Sequence, residues 1–140
     1  MKSFVATAAM LLAIGSVAPA EVDVTLENLR NDRGLLRLCL TRDANHFPDC
    51  SGDPAAITAS VAANARLVRL TAPEPGRYAL SVLHDANGNG RADSALGIPR
   101  EGFGFSRNPV IRFGPPRFAA VVFEIGPGVV RQTVRMRYLL

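Results

Sequence analysis

Side chains with oxygen atoms stand at alternate positions between His84 and Asp93, with glycines between them. Ca²⁺ takes 6–8 oxygen ligands from carboxylates, amides, main-chain carbonyls and water. The segment matches the D-x-[DN]-x-[DN]-G pattern of calcium-binding loops, with Gly90 at the sharp bend. It therefore predicts a Ca²⁺ loop, whose ligands would be the side chains of Asp85, Asn87, Asn89 and Asp93 and the main-chain carbonyl of Arg91.

Two departures from that pattern set the expected strength of the site. Leu96 stands where a bidentate glutamate is expected, and Glu101 is the candidate for completing the shell from farther along the chain. With so few carboxylates, the expected dissociation constant lies in the extracellular range of ~10⁻⁴–10⁻³ M. The alternative is a plain turn without metal, since Asn-Gly and Asp-rich segments form tight turns unaided.

A second interpretation of the same residues is catalytic. His84, Asp85 and Glu101 around an ion would suit a small metal-assisted hydrolase, provided that a cleft holds the three together. Neighbours on a strand point to opposite faces, however, so we expect His84 to face the sheet or orient the loop. We therefore favour a non-enzymatic protein; a purely structural module without metal is a third possibility.

The segments around this loop read as strands. Residues 77–84 are apolar on nearly both faces and predict a central strand. The connection 85–109 is far longer than the usual ~4–6 residues, as in functional loops. Phe103 and Phe105 within it are expected to plug the open end of the fold, or else to form an exposed aromatic platform.

Period-2 alternation and Gly/Pro turns predict the remaining strands. Residues 22–27 and 35–40 are expected to form a hairpin, whereas 55–65 fits a strand or a helix equally well. About seven strands with almost no helix indicate an all-β, antiparallel Ig-like or transthyretin-like β-sandwich with one long loop; a small closed barrel is the alternative. The further strands are expected at 66–71, 110–113, 117–125 and 129–139.

The last predicted strand has one apolar and one basic face. An arginine row on one face suits an outer strand, because charge discourages pairing between sheets. That row could also meet an anion, although it is more often a solvated face. The row comprises Arg131, Arg135 and Arg137, and the opposite face Val130, Gln132, Val134, Met136 and Tyr138.

The beginning of the chain has the pattern of a secretory signal peptide. Lys2 precedes an apolar run over residues 4–17, and Ala18-Pro19-Ala20 is a small-residue cleavage site. The run is shorter than the ~20 apolar residues that a bilayer span needs. We therefore expect a signal peptide at 1–20, a single domain at 21–140, a periplasmic or secreted location, and no membrane span after cleavage.

The cysteine content and the net charge bear on the expected disulfide and on the class of partner. Cys39 and Cys50 are the two cysteines, and in an exported chain they predict a disulfide, which typically stabilises a protein by ~2–4 kcal/mol. The formal net charge of +4 is spread along the chain, without a basic patch interleaved with aromatics. Nucleic acid is therefore not an expected partner.

A two-part motif carries a family likeness. It reads His84-Asp85-x-Asn87-Gly88-Asn89-Gly90-x-x-Asp93, then Gly97-Ile98-Pro99-x-Glu101-Gly102-x-Gly104-Phe105-Ser106. The mature chain resembles a bacterial exported family known as domain of unknown function 2141, and a strand containing Phe118-Ala119 and a last strand ending in Tyr138 are also similar. The resemblance implies a small β-sandwich akin to transthyretin-like and carboxypeptidase-regulatory-like modules, and no established activity. We therefore expect binding or scaffolding at the cell envelope, toward an unknown protein or an anionic glycan.

Overall fold

The chain folds into a β-sandwich of two facing sheets, which confirms the predicted class. The computed structural model describes residues 9–10, 12, 19–90, 94–95, 98–99 and 101–139. The first sheet has the strand order β10-β1-β4; the second has the order β3-β2-β5-β8, with β9 also paired to β5. The strands are β1 Ala20–Glu27, β2 Leu35–Thr41, β3 Ile57–Ala62, β4 Leu67–Ala72, β5 Gly76–Asp85, β6 Ser94–Ala95, β7 Ile98–Pro99, β8 Gly102–Phe105, β9 Phe123–Ile125 and β10 Gly128–Arg135.

Alternating apolar residues build the core between the sheets. On β1 these are Val22, Val24 and Leu26, all buried while their neighbours are more exposed. They face the inward positions of the second sheet, because successive side chains of a strand point to opposite sides. The inward residues of β2 and β5 are Leu36, Leu38, Leu40, Tyr78, Leu80 and Val82.

The predicted hairpin of the first two strands is wrong. β1 pairs in parallel with β10 and antiparallel with β4, whereas β2 lies in the other sheet between β3 and β5. The segment between them crosses from one sheet to the other. Asn28 (φ 64°) and Gly34 (φ 73°) adopt the left-handed conformation at the two ends of this crossing. Such turn residues reverse the chain, but their pattern does not determine which sheet receives the next strand.

The long connection 85–109 is also not one loop. It contains the β6–β7 hairpin and β8, which pairs with β5 from Ser81 to His84. Gly102 and Gly104 let β8 approach the core, since a Cβ at Gly102 would overlap the Tyr138 ring and one at Gly104 would lie 2.5 Å from Val134 Cγ1.

The described residues settle four other expectations. The undecided segment 55–65 contains strand β3. Residues 110–113 are not a strand, and 117–125 divides into a helical turn, α1 Phe118–Val121, and the short β9. β10 is an edge strand with Arg131 and Arg135 exposed and Val134 buried, as its alternation predicted.

In the described part of the chain, no helix combines the length and apolarity needed to cross a bilayer.

Candidate functional site

Asp85 ends β5 and organises the chain that follows it. Its side chain is fully buried, and its Oδ2 accepts hydrogen bonds from Arg37 Nε and the Gly90 amide, each at 2.8 Å. Its Oδ1 accepts from the Asn89 amide at 3.2 Å, and its main-chain carbonyl accepts from the Gly88 amide at 3.2 Å. The carboxylate is thus the centre around which residues 86–90 curl.

Asp85 is held in its charged form. Burial alone would raise its pKa, but the hydrogen bonds from Arg37, Gly90 and Asn89, together with the guanidinium charge, outweigh burial and lower the pKa below its ordinary value. A buried charge is tolerated when it is paired and hydrogen-bonded. The loop therefore has an ionised anchor that does not require a metal to offset it.

The structure brings some of the predicted metal ligands together. Asp85 Oδ1 and Asn87 Oδ1 both accept from the Asn89 amide at 3.2 Å, so these two oxygens converge. Glu101 is 5% exposed, and its Oε2 accepts from the Ala86 amide at 3.1 Å. Within the described ranges, no group of three or more His, Cys, Asp or Glu side chains is arranged to hold a metal. The other two predicted ligands, Arg91 and Asp93, lie outside the described residues.

His84 faces the opposite side of the sheet and is a structural residue, as expected. It is 1% exposed, with Nε2 2.8 Å from the Arg33 carbonyl and Nδ1 2.7 Å from Tyr138 Oη. A carbonyl only accepts, so Nε2 donates, and in the neutral ring Nδ1 accepts from the Tyr138 hydroxyl. Burial raises the Tyr138 pKa, which keeps that hydroxyl protonated.

The catalytic arrangement of His84, Asp85 and Glu101 is therefore not formed. Asp85 lies on the outer face with Arg37, whereas His84 pairs with Leu36 on the core face. Ser106, the hydroxyl next in the motif, is also committed: its Oγ donates to the Val121 carbonyl at 2.6 Å and accepts from the Leu80 amide at 3.1 Å.

The predicted disulfide is present and fastens a loop onto the outer face of the second sheet. Cys39 of β2 is bonded to Cys50, with their Cα atoms 5.7 Å apart. Beside it, the Ser81 hydroxyl donates to the Pro48 carbonyl. The loop around residues 46–51 therefore covers one half of this face and leaves the other half open.

The two phenylalanines of the motif belong to a second small core on that outer face. The Phe105 ring lies 5.7 Å from the Phe47 ring and 6.0 Å from the Phe103 ring, and Phe118 and Val121 pack against the same group. The prediction that they plug the open end of the sandwich is wrong. They also do not form a bare platform, because Phe105 is buried and Phe103 is half-buried.

A trench crosses the uncovered half of the outer face. Its floor is one cross-strand row, Ser60 of β3, Arg37 of β2, Leu83 of β5 and Phe103 of β8. Pro48, Asp49 and Ser51 of the disulfide-fastened loop line it, as does Gly90 of the Asp85 loop. The trench has a volume of about 590 Å³.

The trench is the feature that sequence reasoning missed. Its floor residues are scattered over four strands, and only the register between strands brings them into one row. The available signal was the alternation on β2, which places Arg37 and Cys39 on the same face. The alternation predicts on which face of the sheet each side chain lies, but not which residues of the other strands lie beside it.

A comparison with protein-family models places the chain. The model described as "Uncharacterized protein conserved in bacteria (DUF2141)" matches residues 24–133. The chain belongs to this family. The DUF2141 match runs from β1 into β10, and so includes both sheets, the Asp85 loop and the trench. No curated protein and no solved structure matches the chain.

Proposed function

We propose that this DUF2141 protein is an exported, non-enzymatic binding module that holds an anionic glycan in the outer-face trench. The observation that carries the proposal is the composition of the floor row, in which a hydroxyl, a guanidinium, a leucine side chain and an aromatic ring follow one another across the sheet. The row spans about 14 Å, because neighbouring strands lie about 4.8 Å apart.

Arg37 is the central recognition group. Its Nε is fixed by the buried Asp85, and its Nη1 lies 3.3 Å from Ser60 Oγ, with the side chain one-third exposed. This pairing aims the free edge of a planar guanidinium into the trench, and that edge suits a carboxylate or a ring oxygen. The Phe103 ring offers a surface for the apolar face of a sugar, and Asp49 accepts from sugar hydroxyls.

Two observations support a location at the envelope, and two support a non-enzymatic role. The 1–20 segment has the pattern of a secretory signal, and the disulfide is typical of an oxidising compartment. The groups predicted for hydrolysis lie on opposite faces of a sheet, and both ring nitrogens of His84 are engaged in structural hydrogen bonds.

Titration calorimetry with a panel of acidic saccharides, including trigalacturonate, and with maltotriose as a neutral trisaccharide tests this proposal. We expect a member of the acidic panel to bind about ten-fold more tightly than maltotriose, which corresponds to ~1.4 kcal/mol. Ser60→Trp fills the trench and should abolish binding. Thr71→Trp places the same side chain at an exposed position of the edge strand β4 in the other sheet and should bind like wild type. Lack of binding across the acidic panel, or equal binding by the two variants, rejects the trench as a glycan site.

A weak Ca²⁺ site in the Asp85 loop is the second candidate. The observation that favours it is that Asp85 Oδ1 and Asn87 Oδ1 both accept from the Asn89 amide. The two oxygens therefore lie close enough together to bind one cation in place of that amide. In this proposal the ligands come from the six predicted residues, Asp85, Asn87, Asn89, Arg91, Asp93 and Glu101. Arg37 lies 2.8 Å from Asp85, and its positive charge repels Ca²⁺ and keeps the affinity low.

Melting in Ca²⁺ and in chelator measures this site directly. If the loop binds Ca²⁺ with a dissociation constant near ~1 mM, we expect ~10 mM Ca²⁺ to stabilise the fold by RT ln(1 + [L]/Kd), about 1.4 kcal/mol. Equimolar Mg²⁺ controls for ionic strength and divalent charge, and Asn87→Ala should remove the Ca²⁺ effect. Identical melting temperatures in Ca²⁺, Mg²⁺ and chelator would leave the loop as a metal-free turn.

A further inference from the structure

The loop at residues 107–117, between β8 and α1, carries apolar side chains into solvent. Phe113 is 98% exposed and Val110 is 77% exposed. Leu139, 51% exposed, lines a small cavity together with Ile111 and Pro115 of this loop, and so borders the same surface. Large apolar side chains that protrude together mark an interaction site.

Phe113 lies in a loop that is held at its start by hydrogen bonds to β10. Asn108 donates through Nδ2 to the Thr133 carbonyl at 2.8 Å and accepts through Oδ1 from the Arg135 amide at 2.9 Å. Ile111 packs against the aromatic cluster of the second core. Gly114 takes φ +69° next to Pro115 and Pro116, which restrict the backbone further. The chain thus half-buries Ile111 and turns Phe113 outward.

The charge around this apolar tip is of one sign. Arg107, Arg112 and Arg117 are exposed, and no acidic residue occurs in the sequence between Glu101 and Glu124. Within the described residues, Arg112 and Arg117 form no salt bridge. The loop therefore combines protruding apolar side chains with three exposed arginines.

We propose that the 107–117 loop docks the protein on an anionic lipid bilayer, with Phe113 and Val110 in the interface and Arg112 and Arg117 against the headgroups. Anionic lipid is favoured as the occupant because the cations complement its charge. This inference stands apart from the proposed glycan site, since it uses other residues.

Vesicle co-sedimentation tests the proposal on protein recovered after export, with the same N-terminus in every variant. Vesicles with about one-third phosphatidylglycerol should bind the protein about ten-fold more tightly than pure phosphatidylcholine vesicles, and added salt should weaken that binding. Phe113→Ser should reduce binding about ten-fold, because it removes the aromatic ring that enters the interface. The double variant Arg112→Gln/Arg117→Gln should lose the preference for anionic vesicles.

Leu67→Ser is the matched control, because Leu67 is an apolar side chain 63% exposed on β4, in the other sheet. It should bind vesicles like wild type. All replaced side chains are on the surface, so unchanged melting temperatures will show that the variants fold. Equal binding by Phe113→Ser and Leu67→Ser, equal binding to neutral and anionic vesicles, or self-association through the loop without vesicle binding would each overturn the proposal.

Discussion

Replacing Gly34 with alanine is expected to lower the free energy of unfolding by about 2–5 kcal/mol, the sum of a left-handed backbone penalty and an overpacking penalty. Gly34 has φ +73°, and a Cβ there would lie 2.6 Å from the Ala86 carbonyl carbon and closer still to the Asp85 carbonyl oxygen. Both neighbours are main chain at the start of the Asp85 loop and cannot rotate away. Chemical denaturation of the purified variant measures the loss.

Gly114→Ala separates the two contributions. Gly114 has a similar φ of +69°, but no atom lies within 4 Å of the position its Cβ would take. This control should lose only the left-handed penalty of about 1–2 kcal/mol. If the two variants are equally stable, the main chain at Gly34 does not contact the Asp85 loop as closely as described.

Asp85→Asn is expected to cost about 2–4 kcal/mol, between the loss of a charged hydrogen bond and the breaking of a fully buried ion pair. The amide has one oxygen and one NH₂ group. Whichever way it is turned, NH₂ faces donors: Arg37 Nε and the Gly90 amide on one side, or the Asn89 amide on the other. Asp32→Asn is the matched control, because its ion pair with Arg66 is also 2.8 Å long but exposed, and it should change stability little.

The same substitution should change the response to acid. The folded-state pKa of Asp85 is lowered, so its stabilisation is fully present above the ordinary carboxyl range. That stabilisation is lost as the pH falls below about 3.9 and through the lowered folded-state value. The stability difference between wild type and Asp85→Asn should therefore shrink between about pH 7 and pH 2.5. Asp23 and Asp53 also have lowered pKa values, because of hydrogen bonds from Arg69 and Thr41, so the variant keeps part of the acid sensitivity. A pH-independent difference would contradict the ionised, buried anchor.

The fold was predictable where burial alternates along a strand. The period of two in β1, β4 and β10 reports which side chains face the core, and a strand keeps that period in any topology. The pairing of β1 with β10 instead of β2 depends on contacts distant in sequence, so turn residues could not disclose it. α1 was mistaken for strand because Phe118, Val121 and their neighbours have strand propensity, which tertiary packing overrides.

The site was predictable only in its local part. Asp85, Asn87 and Asn89 lie in one short loop, so their spacing in the sequence approximates their spacing in the structure. Arg37 and Ser60 are remote from that loop in the sequence, and a shift of register by one residue would send them to the other face. Hence the arginine that pairs with the buried Asp85, and the trench above it, became evident only with the paired strands in place.

The parallel pairing of β1 with β10 has a consequence for synthesis of the chain. β1 lies in the middle of its sheet, and one of its two partners is β10, whose Gly128 pairs with Ala20, 108 residues earlier in the chain. The second sheet draws mainly on strands that follow one another sooner, but the first sheet cannot be completed until β10 has left the ribosome. Contacts of such long sequence separation form slowly. The order of the strands thus delays completion of the fold, which suits a protein that is proposed to cross a membrane before it folds.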